Sequence, residues 1–70
     1  MSEYISNEVS TLRMNKGITQ EELAEKVGVS RQTIISIEKG NYTPSILLAL
    51  KLASFFGIPV EKIFTIRYAK

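Results

Sequence analysis

The sequence predicts an all-α fold of five short helices, closed by a small two-stranded antiparallel sheet built from its two tails. Three observations lead there. Gly17, Gly28, Gly40, Gly57, Pro44 and Pro59 cut the chain into segments of helical length. Apolar residues recur within those segments at three- and four-residue spacing. The tail Ile63-Phe64-Thr65-Ile66-Arg67-Tyr68 is rich in β-branched and aromatic residues, and the head Tyr4-Ile5 shares that character.

Each element has its own signals. The first helix is expected from about Asn7 to Lys16, capped by Asn7 or Ser6, with Val9 and Leu12 on its apolar face and Gly17 at its end. The second opens at Thr19-Gln20-Glu21-Glu22. That is a capping box, in which a hydroxyl accepts from the amide three residues on and the carboxylate there reaches back. Leu23, Ala24 and Val27 form its apolar face, and Gly28 ends it. The third starts after Ser30 and runs from Arg31 to Lys39, with Ile34 and Ile37 inward and Gly40-Asn41 at its close. The fourth is expected to open at Thr43-Pro44, proline at the first helical position, and to stop at Gly57. A short fifth helix is expected from Pro59 to about Ile63.

Seventy residues are expected to form one domain, 1–70, without room for a second core or a walled catalytic cleft. Even one core is marginal at this size, so a staple is expected. Cysteine is absent, which excludes disulfides, and histidine and aspartate are absent too, which leaves no ordinary zinc ligand set. Oligomerisation is the remaining staple. The net charge of +2 permits an anionic partner without demanding one. The apolar stretch Ile46 to Leu50 is broken by Lys51, far short of the roughly 20 residues that span a bilayer. The start, Met1-Ser2-Glu3, has no basic and apolar signal regions. A cytoplasmic protein with no membrane partner is expected.

The second and third segments meet at a tight turn between Val27 and Ser30, a helix-turn-helix pattern. Ala24 is small where two helices must approach. Gly28 accommodates a positive φ at the sharp turn. With Val29, Ile34 and Ile37 anchored inward, Arg31, Gln32, Ile35, Ser36 and Lys39 face outward. Arginine can bond both acceptors of a guanine edge, and glutamine can bond adenine through two contacts.

The stretch from Thr19 to Gly40, TQEELAEKVGVSRQTIISIEKG, resembles the Cro/phage-repressor (XRE-type) helix-turn-helix of transcriptional regulators. The resemblance continues through Pro44-Ser45 and Leu52-Ala53 to Glu61-Lys62-Ile63-Phe64, nearly the whole chain, and the strand-like tail is similar to that of small single-domain members. It implies a five-helix, lambda-repressor-like DNA-binding domain with its helix-turn-helix at about 19–38, acting as a homodimer on double-stranded DNA. It also implies that the third helix enters the major groove, with Arg31, Gln32 and Ser36 reading bases and Gln20 at the start of the second helix beside the DNA. Ile35, where the family more often has a polar residue, either meets a thymine methyl or packs on a neighbouring helix. Thr33, Lys39, Asn41, Tyr42, Thr43 and Ser45 are candidates for phosphate contact, with Lys16 and Lys26 at longer range. The pair matching Arg13 and Glu38 forms a structural ion pair in the family, so Arg13 is not expected to read bases. Glu21, Glu22 and Glu25 are expected on a solvated face.

The fourth segment carries more apolar residues than one face can bury. Ile46, Ala49, Leu52, Ala53 and Phe56 make the expected core stripe. Leu47, Leu48, Leu50 and Phe55 are in excess and, with Phe64 and Ile66 of the tail, are the expected dimer surface, unless the tail folds over them. A twofold pair would set two reading helices about 34 Å apart, one turn of DNA.

These readings converge on a sequence-specific transcription regulator, a repressor binding an inverted repeat. The alternative is a protein-interaction module such as an antitoxin or a coactivator; no segment is left over for a toxin. An enzyme is not expected, since no nucleophile–base pair, phosphate-cradling loop or metal-ligand spacing is present. Neither a cofactor nor a small-molecule ligand is expected.

Overall fold

Strand β1 (Ser2–Asn7) leads into helix α1 (Val9–Asn15) through a single residue, Glu8. Helices α2 (Gln20–Val27), α3 (Arg31–Glu38) and α4 (Ile46–Phe56) follow, then one 3-10 turn over Val60–Lys62 and strand β2 (Phe64–Ala69). The structure is a computed structural model and describes residues 2–70. The described residues therefore form four α-helices and a two-stranded sheet. The expected fifth helix is the 3-10 turn, because only the four residues from Val60 to Ile63 lie between Pro59 and the strand that opens at Phe64. The architecture is mostly helical, with a real β-ribbon attached.

The strands pair antiparallel from Ser2↔Ala69 to Asn7↔Phe64. This brings the head and tail together at the root of α1, where the Glu8 amide donates to the Ile63 carbonyl at 2.9 Å. The first helix is thus shorter than expected. Asn7 lies in the strand, and its side-chain oxygen accepts the Val9 amide at 3.1 Å.

The capping box of α2 is complete. Thr19 Oγ1 accepts from the Glu22 amide at 3.0 Å, and the Glu22 carboxylate accepts from the Thr19 amide at 2.8 Å. Gly28 ends the helix in the left-handed region, at φ 74°, and Val29 donates back to the Ala24 carbonyl at 3.0 Å. That reversal lets α3 begin after only three intervening residues. Ser30 Oγ caps α3 through the Thr33 amide.

The fourth helix departs from expectation at its start. Ser45, not Thr43, is its cap, accepting the Leu48 amide at 3.1 Å, and Pro44 stays outside the helix. Its inward phase also differs. Leu48, expected on the dimer surface, is buried, whereas Ile46, expected in the core, is 81% exposed. Leu48 and Leu52 lie one turn apart and face the same way, so burying one buries the other and turns Ile46 and Leu50 outward.

The core is Val9, Leu23, Ala24, Val27, Ile34, Ile37, Leu48, Leu52 and Ile63. Each fully buried leucine or isoleucine contributes about 1.5–3 kcal/mol relative to exposure. Phe55 and Phe64 are half-buried against this core. Phe55 is further engaged by the Phe56 ring, edge-on at 5.2 Å between centroids, and by the Lys16 ammonium 5.3 Å above its own ring.

Candidate nucleic-acid interface

Helix α3 presents its first turn to solvent. Arg31 and Gln32 are exposed, as are Ser30 before them and Lys39 at the far end. Ile35 and Ser36, one turn further along, are half-buried. The opposite side carries Ile34 and Ile37, both wholly inside the core. The helix is therefore rooted by two isoleucines while its other face stays free.

Two shallow polar depressions flank that face. Arg13, Thr19, Gln20, Glu21 and Arg31 line one, between the starts of α2 and α3. Ser30, Gln32, Thr33, Ser36, Asn41 and Tyr42 line the other, between α3 and the segment leading to α4. The fold thus brings Gln20 beside Arg31, and Asn41 and Tyr42 beside Gln32 and Ser36. Thr33 is partly committed within the cap, its hydroxyl 3.0 Å from that of Ser30. Thr43 lies elsewhere, against the ribbon with Tyr4, Ile5, Gly40 and Ile66. Ser45 is exposed, with its hydroxyl occupied in capping α4.

An ion pair closes the back of the first depression. Arg13 Nε donates to Glu38 Oε2 at 2.8 Å and Nη2 to Oε1 at 3.2 Å, a two-pronged fit that fixes the guanidinium plane. Arg13 Nη1 also donates to the Ile18 carbonyl at 2.9 Å. Both side chains are largely withdrawn from water, at 14% and 8% exposure. The hydrogen bonds that Arg13 donates to Glu38 hold it above the ordinary arginine pKa, against the opposing cost of burial. Sequence reading missed one member of this cluster: Gln20 Nε2 donates to Glu38 Oε1 at 3.1 Å. Its amide is thereby oriented from behind, and no local motif could have announced a bond spanning α2 and α3.

Charge on this side is sparse. Arg31 and Lys39 are the exposed cations of α3 and its cap, and Arg13 is neutralised by Glu38. The remaining polar groups around the two depressions are mainly amides and hydroxyls, with Glu21 at one rim. Among the described residues, no acidic or metal-ligating cluster suited to a metal ion is present. No helix among them is long and apolar enough to cross a membrane.

The helix-turn-helix model of the protein families matches residues 9–63, from the first residue of α1 to the end of the core. The chain belongs to the helix-turn-helix family. This helix-turn-helix chain is 55% identical over 60 residues to an uncharacterized HTH-type transcriptional regulator of Methanocaldococcus jannaschii, covering 86% of this chain and 91% of that one. It is 34% identical over 58 residues to the cryptic phage CTXphi transcriptional repressor RstR of Vibrio cholerae, covering 83% of this chain and 52% of that one. Among solved structures, it is similar to the restriction-modification controller protein C.AhdI of Aeromonas hydrophila, with a TM-score of 0.71 and 33% identity over 77% of this chain and 82% of that one. The regulator is of the XRE type, as its Thr19–Gly40 stretch implied.

Proposed function

We propose that this helix-turn-helix regulator reads an inverted-repeat DNA site as a homodimer and represses transcription by occupying it. The observation that carries the reading is the first turn of α3. Arg31 and Gln32, the two side chains best suited to guanine and adenine edges, stand exposed on a helix rooted by Ile34 and Ile37. Gln20, oriented by Glu38, lies beside Arg31 and suits a contact at the groove edge. Ser36 and Ile35 extend the reading surface, and Ile35 is half-exposed, as contact with a thymine methyl requires. Asn41 and Tyr42, with Thr33, line the second depression and suit phosphate contact, as does exposed Lys39 at the end of α3. Thr43 against the ribbon and Ser45 at the start of α4 are further candidates, the Ser45 hydroxyl already being used as a cap.

Dimerisation is supported by apolar surface that the chain leaves uncovered. Ile46, Leu47 and Leu50 are exposed on α4, and Ile66 and Tyr68 on the ribbon. Ile66 lies beside Gly40 and Thr43 of the segment that leads to Ile46 at the start of α4. A second copy related by a twofold axis would cover this apolar surface and space two reading helices by one DNA turn. Leu48 is excluded from this surface by its burial; Phe55 and Phe64 would contribute only their outer edges. The repressor sign is supported by two repressors among the relatives.

Selection from random duplex DNA, at low and moderate salt, tests the reading. Enrichment of an inverted repeat with half-site centres about 10 bp apart is expected. A single enriched half-site would keep the reader and remove the dimer. Binding without enrichment that vanishes at moderate salt would leave only phosphate attraction and overturn the proposal.

A further inference from the structure

We propose that Asn7 is a positioning residue that seats the reading helix from the root of the terminal ribbon. The inference rests on the reading of α3 as a DNA-contacting helix. Asn7 is half-buried, and both ends of its amide are used. Its nitrogen donates to the Ile37 carbonyl at 2.9 Å, while its oxygen accepts from the Val9 amide at 3.1 Å. Reversing the amide would place oxygen against oxygen and N–H against N–H, so the bonding pattern admits one orientation. The residue therefore ties the end of β1 to the start of α1 and to the last turn of α3.

The position of that tie matters because α3 is short. Eight residues span about 12 Å, so a shift at Ile37 is carried through a stiff rod to Arg31 and Gln32. The neighbouring Glu38 is held by Arg13 from α1 and by Gln20 from α2. Asn7 supplies a third hold, from the ribbon. Its backbone is the innermost pair of the sheet, opposite Phe64, and the next amide, Glu8, bonds the Ile63 carbonyl. The seat of α3 thus depends on the two chain ends being paired.

The test uses the full chain and a duplex enriched by the selection described above. Asn7→Asp keeps an acceptor for the Val9 amide and removes the donor to Ile37. Its added negative charge weakens all DNA binding alike, so the readout is the ratio of affinities for the enriched and a scrambled duplex. That ratio should fall roughly fivefold or more, the equivalent of about one lost hydrogen bond, while far-UV circular dichroism stays that of wild type. An unchanged ratio in the folded variant would overturn the assignment. Should Asn7→Asp fail to fold, the Asn7 side-chain amide resonances of ¹⁵N-labelled wild type decide. They should shift differently on the enriched and scrambled duplexes, and identical spectra in both complexes would sink the idea. Failure to enrich any duplex is a separate result, which overturns the DNA reading itself and this assignment with it.

Discussion

Gln20 and Arg13 converge on one carboxylate: Glu38 Oε1 accepts from Gln20 Nε2 at 3.1 Å, while Glu38 Oε2 accepts from Arg13 Nε at 2.8 Å. Three helices meet in that contact. The residue that ends α3 thereby holds both the Arg13 guanidinium and the Gln20 amide.

Removing one partner of this cluster should cost more than an exposed ion pair would. Glu38→Gln keeps the shape but loses the charge facing a mostly buried guanidinium. A loss of about 2 kcal/mol is expected in urea unfolding, between the values for exposed and fully buried pairs. The ratio of affinities for the enriched and a scrambled duplex should fall as well, since Gln20 loses its charged acceptor while the lost negative charge acts on both duplexes alike. A variant as stable as wild type would show that the cluster positions Gln20 without supporting the fold.

The pH dependence of the pair has a definite sign on the arginine side. Arg13 has a raised pKa in the folded state. Its stabilising contribution is therefore complete below the ordinary arginine value and is lost only as pH rises through the raised one. The stability difference between wild type and Arg13→Met should stay flat from about pH 7 to pH 10. A difference that shrinks across that range, in unfolding titrations, would contradict an arginine held charged by Glu38.

At the helix-turn-helix turn, strain can be separated from crowding. A Cβ on Gly28 would meet only Lys51 Nζ, at 4.0 Å, which is ordinary contact. Its φ of 74° is nevertheless costly for a residue with a side chain. Gly28→Ala should lose about 1–2 kcal/mol through backbone strain alone, and Gly28→Asn less, because asparagine tolerates the left-handed region. Equal losses in thermal melts would point to the Lys51 contact instead.

The two leucines Leu48 and Leu50 should behave oppositely. Leu48→Ala opens the core and should cost about 2–5 kcal/mol. Leu50→Lys lies on the exposed stripe and should leave the unfolding midpoint of the monomer nearly unchanged while shifting sedimentation toward the monomer. A Leu50→Lys chain that still sediments as a dimer would place the interface elsewhere.

Base reading and phosphate contact can be told apart by their salt and sequence dependence. Arg31→Ala should relax preference at one base position. Lys39→Ala should weaken every duplex alike and reduce the salt slope by about 1. Indistinguishable losses from both variants, across sequences and salt, would contradict the separate roles.

Local chemistry determined much of this protein before any folding. The Thr19 capping box, the Gly28 reversal and the Ser30 cap act within a few residues, so they place α2, the turn and α3 from sequence alone. The inward faces Leu23, Ala24, Val27 and Ile34, Ile37 follow equally, because polar residues separate them and leave a helix one way to turn. The outward Arg31 and Gln32 come with that phase. In α4 the same reasoning fails. ILLALKLASFF is apolar nearly all round, so periodicity carries little information about which stripe is inside. The facing helices decided it, burying Leu48 and Leu52 and leaving Ile46 and Leu50 to solvent. Tertiary structure also decided the contacts between distant residues: Asn7 with Ile37, Gln20 with Glu38, and head with tail in the ribbon. These are bonds between groups that many residues could make, and only the assembled fold brings the particular partners within reach.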